Sequence, residues 1–409
     1  MRGFWLSMLA LALHAPGLAQ TEMGGQVRLQ WIGQQASSSG PLAQAEALRS
    51  GTAAPPASGG ALETELRASG HGLTGIATLQ QQRQEHSEWA SRAWVNELYA
   101  SHDGGAWQFS AGKKIVAWDV GYGFRPNDLV QQEERRPLIS RTLEGRPLLM
   151  AEHFSADTAW SWVWVNTTAS AEQTGAQEPA LAARFYQRDG AVDWHGFARA
   201  GARTGASLGG AVAWVASDAL ELHGSLRYAT RVDSKAIDPD ARGLVASNPW
   251  LPQTEYDVTQ LLLGGTWTHA SQLSLLAEAW WDGTAPSDAQ WNAWAQRNSQ
   301  LLALAGLGAP AAKVAGNLAW QAEAFGVSPS LRRENVFLRL SWQMDAWLPA
   351  LDMLYTPADQ GRVMTASLSW QGDRVQVQGG LRVYAGPADA VLMQLPASGM
   401  AYVASTWAF

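Results

Sequence analysis

The feature that most constrains this chain is a two-residue alternation of apolar and polar side chains. It recurs from Val27 to the final residue and is interrupted by Gly, Asp and Ser. In the segment 220–231, Leu220, Leu222, Leu226 and Tyr228 fall on one side, and Glu221, His223, Ser225, Arg227 and Arg231 on the other. Successive side chains of a strand point to opposite faces, so such a stretch makes a strand with one apolar and one wet face. Eighteen stretches can be marked: 27–31, 62–69, 73–82, 90–101, 106–118, 146–154, 159–166, 181–188, 192–201, 206–216, 220–231, 256–268, 273–282, 313–326, 333–344, 363–371, 374–385 and 400–409.

Strands of this kind predict an all-β fold: a transmembrane antiparallel β-barrel of 18 strands, with 16 as the alternative because the boundaries near 201–210 are soft. Barrels of that class have short turns at one end and longer loops at the other. Here 70–72, 102–105, 155–157, 189–190, 217–218, 269–272, 327–332 and 372–373 are short, and the alternate connections include 36–60, 119–145, 232–255, 285–312, 345–360 and 387–399. A soluble β-sandwich would explain the alternation but not this sorting of connections.

The stretch 287–306 breaks the pattern. Ser287, with Gln290 three residues later, heads a run of good helix formers, which predicts one helix in the outer loop at about 285–312. Residues 1–19 read as a signal peptide, with Arg2 as its positive start, Phe4 to Leu13 as its apolar centre and Gly17-Leu18-Ala19 as its small-x-small end. Residues 20–409 are then the barrel. The absence of cysteine excludes disulfides, thiolate metal ligands and a thiol nucleophile. A formal charge of -7 without a long basic block argues against nucleic acid. Trp outnumbers the other aromatics, 22 against 9 Phe and 8 Tyr, which suits rings at membrane–water interfaces.

The last ten residues place Val403, Trp407 and Phe409 on one face and Tyr402, Ala404 and Thr406 on the other. An exported chain of alternating stretches that ends on an aromatic strand resembles Gram-negative outer-membrane β-barrel proteins of the porin type. The resemblance implies outer-membrane lipid and lipopolysaccharide around the barrel and no cofactor. It also implies recognition of Trp407 and Phe409 by the β-barrel assembly machinery. The segment from Gly112 through Trp118, Gly121 and Gly123 to Arg125-Pro126-Asn127-Asp128 is similar to the strand-to-loop segment of alginate-export-type large barrels. It departs from that pattern at Asp119, where Gly is expected.

Parity puts Arg184, Arg188, Arg199, Arg227, Arg231, Arg339, Arg374 and Arg382 on the lumen face, with Glu63, Glu65, Asp193, Glu221, Glu278, Asp282 and Glu323. The two signs are nearly balanced, and their arrangement predicts passage of small polar or anionic solutes by diffusion or selective facilitation. The 119–145 loop is the expected constriction, with Arg125, Asp128, Arg135 and Arg136 as its candidate residues; the Arg125–Asp128 pair could equally just pin a turn. A non-transporting surface barrel, such as an adhesin or assembly partner, or an enzyme at the rim is the alternative. For the enzyme, Gly205-Ala-Ser207-Leu-Gly209 matches G-x-S-x-G but runs into a strand rather than a helix, and His195 and His223 lie beside Asp193 and Glu221. No catalytic residue and no metal site is assigned. Asp233, Asp238 and Asp240 lack calcium-loop spacing and read as solvated loop charge.

Overall fold

The computed structural model describes residues 21–409 except 55, 86, 134, 140–142 and 170–174. The expected signal segment lies outside these residues. The chain forms β1 (Glu22–Ala36), β2 (Gly59–Gly70), β3 (Leu73–Gln84), β4 (Ala90–Asp103), β5 (Trp107–Lys114), β6 (Arg146–Phe154), β7 (Thr158–Val165), β8 (Ala180–Asp189) and β9 (Val192–Gly201). It continues through β10 (Gly205–Ser217), β11 (Leu220–Ile237), β12 (Trp250–Thr268), β13 (Leu273–Asp282), β14 (Glu334–Trp342), β15 (Trp347–Thr356), β16 (Gly361–Gln371), β17 (Val375–Ala385) and β18 (Ala397–Ala408). Consecutive strands pair antiparallel, and β18 returns to β1 in a register running from Gln26↔Ala408 to Ala36↔Ala397. The sheet is a closed 18-stranded barrel, so it has no open edge. Phe409 completes the seam by exchanging two backbone hydrogen bonds with Gly25.

The alternation is realised in space. Leu181, Leu208, Leu263, Leu381 and Trp194 are exposed on the outside. Glu65, Glu278, Asp282 and Asn96 are buried inside. So much exposed apolar surface is stable only against lipid. Val403, Trp407 and Phe409 face out, and Tyr402 and Ala404 face in.

Two expectations are corrected, and they compensate in the strand count. The 313–326 segment is helical: Ala311–Trp320 is a helix followed by a 3-10 turn at Gln321–Gly326. Its Val314, Ala315 and Leu318 recur at helical spacing and are buried, a period that outweighs the weak alternation. Glu323 is therefore not on a strand; it pairs with Lys235 at 3.1 Å. Conversely, β15 lies within the expected 345–360 loop. Its inward Leu348 and Leu354 blur the alternation, and Pro349 reads as a breaker. Pro349 is tolerated because the β14–β15 ladder ends at Ser341↔Ala350, leaving no partner on that side for the missing N–H. The short turn there is 343–346, not 327–332. Strand boundaries also move. β5 ends at Lys114 rather than Trp118, and β11 and β12 reach into the expected 232–255 loop.

Two outer connections, β1–β2 and β13–β14, supply a helical cap. α1 (Pro41–Leu48), α2 (Asp288–Gly306) and α3 (Ala311–Trp320) share a core of Ala45, Leu301, Val314, Ala315 and Leu318. Ser287 and Gln290 form the expected capping box at α2. Asn317 fastens the cap to the β11–β12 loop through both the N–H and the carbonyl of Val245.

Candidate functional site

The connection between β5 and β6 does not extend outward; it folds into the barrel. Its departure is set by local chemistry. Glu97 accepts the N–H of Ile115 at 2.8 Å, so the ladder cannot continue. Farther along, the Asp128 carboxylate accepts the N–H groups of Trp118 and Asp119 at 3.1 and 3.2 Å. The Asp119 carboxylate accepts from the N–H of Asn127 at 2.6 Å and from Ser225 Oγ on β11 at 2.7 Å. Asp119, the position where the alginate-export pattern has Gly, thus ties the loop to itself and to the wall. Burial pushes its carboxyl above the usual carboxylate range, against the pull of those donors.

Apolar contacts carry the loop across the lumen. Trp118, Leu129 and Val130 pack on Leu148, Val163 and Phe197, and Phe124 packs on Leu262, Trp280 and Phe337. Ile139 reaches Tyr402 and Ala404 on β18. The inner face of β11 is the main rail. His223 bonds Glu278 of β13, whose carboxylate accepts the N–H groups of Tyr122 and Gly123, both at 2.6 Å. A Cβ on Gly123 would sit 2.9 Å from Glu278 Oε2, which explains a glycine there. Ser225 holds Asp119 and Asn127, and Arg227 Nη1 donates to the carbonyl of Pro126 at 3.3 Å.

On the opposite side the loop leaves a cavity of about 500 Å³ against β14 to β18. Arg135, Arg136 and Tyr122 of the loop face Arg339, Asp352, Thr365, Ser367, Arg382 and Tyr402 of the wall, with Glu133 and Glu144 also in the lining. Arg339 Nη1 reaches both carboxylate oxygens of Asp352 at 3.0 Å, and Arg135 pairs with Glu133 at 2.8 Å. Arg136 and Arg382 differ. Among the described residues neither has a carboxylate within ion-pair distance. Arg136 lies over the rings of Trp280 and Phe337, and Arg382 donates to Thr365 Oγ1 at 2.9 Å and to the carbonyl of Arg136 at 3.1 Å. Burial, and then the Arg382 guanidinium, bring Arg136 down to about 10, so it remains a cation at neutral pH.

The expected site residues divide accordingly. Arg339, Arg382, Arg135 and Arg136 converge on the cavity. Arg125 and Asp128 shape the loop from within: Arg125 Nε donates to the carbonyl of Gly121 at 2.7 Å, and Asp128 accepts the backbone bonds described above. Arg199 is paired with Glu178 at 3.4 Å, and Arg231 donates to the carbonyl of Ala202 at 3.3 Å. Arg184 contacts His195 at 3.2 Å, and Asp193 accepts from the Tyr186 hydroxyl at 2.7 Å rather than from His195. Glu221 holds the outer nitrogen of His223. Arg188 and Arg374 are exposed at strand ends. Sequence reasoning missed Asp352, which sits on the unrecognised strand, and the clamp role of Glu278. The G-x-S-x-G pattern has a local explanation. Ser207 Oγ accepts from Arg227 Nε at 2.7 Å, and the absent side chain of Gly209 leaves room for the Asn127 amide.

No protein-family model matches the chain, and no curated protein matches it in sequence. Among solved structures, OccAB1 of Acinetobacter baumannii is similar over 95% of this chain and 96% of its own, at 8% identity and a TM-score of 0.54. A mutant porin of Rh. blastica covers 95% of this chain and 100% of its own at 10% identity, with a TM-score of only 0.44. At such identities the likeness is one of fold alone. Strand number, closure, apolar exterior and the likeness to OccAB1 agree: the fold is that of a porin-like outer-membrane β-barrel.

Proposed function

We propose that the protein is an outer-membrane diffusion channel for small polar solutes, with a preference for anions. The observation that supports this most is the pair Arg136 and Arg382: two cations drawn together at the cavity, neither of them within ion-pair distance of a carboxylate among the described residues. Such a pair favours a transient anion over a transient cation. Asp352, Glu133 and Glu144 keep the lining from being purely basic, which suits polar solutes carrying both signs. Residues 1–19 would direct export, and Trp407 and Phe409 would be read during assembly into a leaflet of lipopolysaccharide.

The test is single-channel recording of the refolded barrel in a planar bilayer under a salt gradient. Discrete openings with a reversal potential of anion-preferring sign are expected. A correctly folded but silent barrel would overturn the proposal and turn attention to a surface-binding role.

A further inference from the structure

We infer that His223 is a positioning residue for the constriction: as an imidazolium clamped between Glu221 and Glu278, it holds the Tyr122–Gly123 turn beside the passage. This rests on the channel reading above. His223 Nε2 lies 2.9 Å from Glu278 Oε1, and Nδ1 lies 3.1 Å from Glu221 Oε2. Ionised carboxylates only accept, so each ring nitrogen must donate, and an imidazole with two N–H groups is a cation. Glu278 is fully buried and already takes two backbone N–H groups, an arrangement that requires its charged form to be balanced nearby. Among the described residues His223 is the one cation in hydrogen-bond contact with it.

The other surroundings do not supply that balance. The β10 neighbour is Ala213, and β12 presents Gly264, whose missing side chain gives the imidazole its space. On β9, Asp193 and His195 are engaged by Tyr186 and Arg184. From the loop, Arg136 feels the charge of Glu278 but is stacked on Trp280. The consequence reaches the passage through Tyr122. Its ring stacks on Phe337 at 5.9 Å and lies under the guanidinium groups of Arg135 and Arg339, at 5.7 and 5.6 Å. His223 does not line the cavity itself; it acts through Glu278.

The experiment combines nitrogen NMR of the histidine-labelled barrel in micelles at pH 7.5 with amide exchange and single-channel recording. The His223 resonance, identified by its loss in His223→Gln, should carry the shifts of a doubly protonated ring. In His223→Gln, exchange at the Tyr122 and Gly123 amides should accelerate about tenfold or more, and open-channel noise should rise several-fold. Glu221 is 34% exposed, so Glu221→Gln serves if His223→Gln does not refold, and it should give the same changes at about a third of the size. A neutral His223 ring, or unaltered exchange in the variant that folds, overturns the inference. Because exchange needs no current, a barrel that conducts nothing defeats the channel reading while this one is still decided.

Discussion

Along β11 to β13 the inward-folded loop lies against the wall, whereas between the loop and β14 to β18 a cavity of about 500 Å³ remains, bridged by Ile139 at β18 and by Arg382 at the Arg136 carbonyl. Both walls carry polar side chains, and the filled side adds apolar Leu262 and Trp280 under Phe124. The filled side presents an acceptor where the loop has backbone N–H groups to offer, Glu278 under Tyr122 and Gly123, and a donor where the loop has a carboxylate, Ser225 to Asp119. Hydrogen bonds to a charged group contribute about 1.5–3 kcal/mol each, enough to outweigh loss of water from this wall. The open side presents mostly hydroxyls and guanidinium groups, and its one paired carboxylate, Asp352, is already occupied by Arg339. A loop studded with N–H groups seats most closely on the wall that offers a charged acceptor and touches the other wall more sparsely.

Removing that asymmetry should have the largest effect. Glu278→Ala deprives two backbone N–H groups and His223 of their acceptor, at a cost of about 3–5 kcal/mol typical of breaking a buried ion pair. The loop should detach from the filled side, lowering the barrel's unfolding temperature and altering single-channel conductance; unchanged conductance would mean that the two walls do not differ as argued. Next in size is the open side. Arg136→Gln with Arg382→Gln should lower the anion-to-cation permeability ratio by several-fold while conductance stays within about twofold. Arg227→Ala sharpens the contrast, because Arg227 holds Ser207 and Pro126 on the filled side. It should destabilise the fold by about 1–3 kcal/mol and leave the ratio nearly unchanged.

The contrast also marks where sequence reading succeeds. Alternation exposes a strand when its two faces meet different solvents, and for β11 the lumen face is ionic and the lipid face is Leu and Tyr. It fails where the lumen face is largely apolar, as Leu348, Ala350 and Leu354 make it in β15, and it over-reads an Ala-rich amphipathic helix such as α3. The two errors cancelled in the count because one added a strand and the other lost one. The loop's inward course was legible only as an expected constriction. Its anchors are long-range, joining Asp119 to Ser225 and Tyr122 to Glu278, and no local pattern encodes such pairs. Parity placed Arg227 and Arg382 on the same lumen face without distinguishing the one that fastens the loop from the one that borders the path.

The smallest expected effect is a pH dependence of loop docking. Burial pushes the Asp128 carboxyl up to about 6, against the pull of Arg125 and the N–H groups of Asp119 and Trp118. In an undocked loop the same group would titrate near 3.9. The docked loop therefore binds the proton more tightly, so docking gains as pH falls toward 4 and loses that gain as pH rises through 6. Each unit of displacement corresponds to about 1.4 kcal/mol, an upper bound here because both states keep Oδ1 as an acceptor for the loop's N–H groups. Amide exchange at Trp118 and Asp119, corrected for its intrinsic pH dependence, should be slower at pH 5 than at pH 7.5. Asp128→Asn is neutral and nearly isosteric, so it should flatten most of this slope. Asp119, shifted in the same direction by burial, should keep a remainder. An unaltered slope in Asp128→Asn would mean that the loop is held as firmly with the charge as without it, and the filled side would then owe its closure to apolar packing and Glu278 alone.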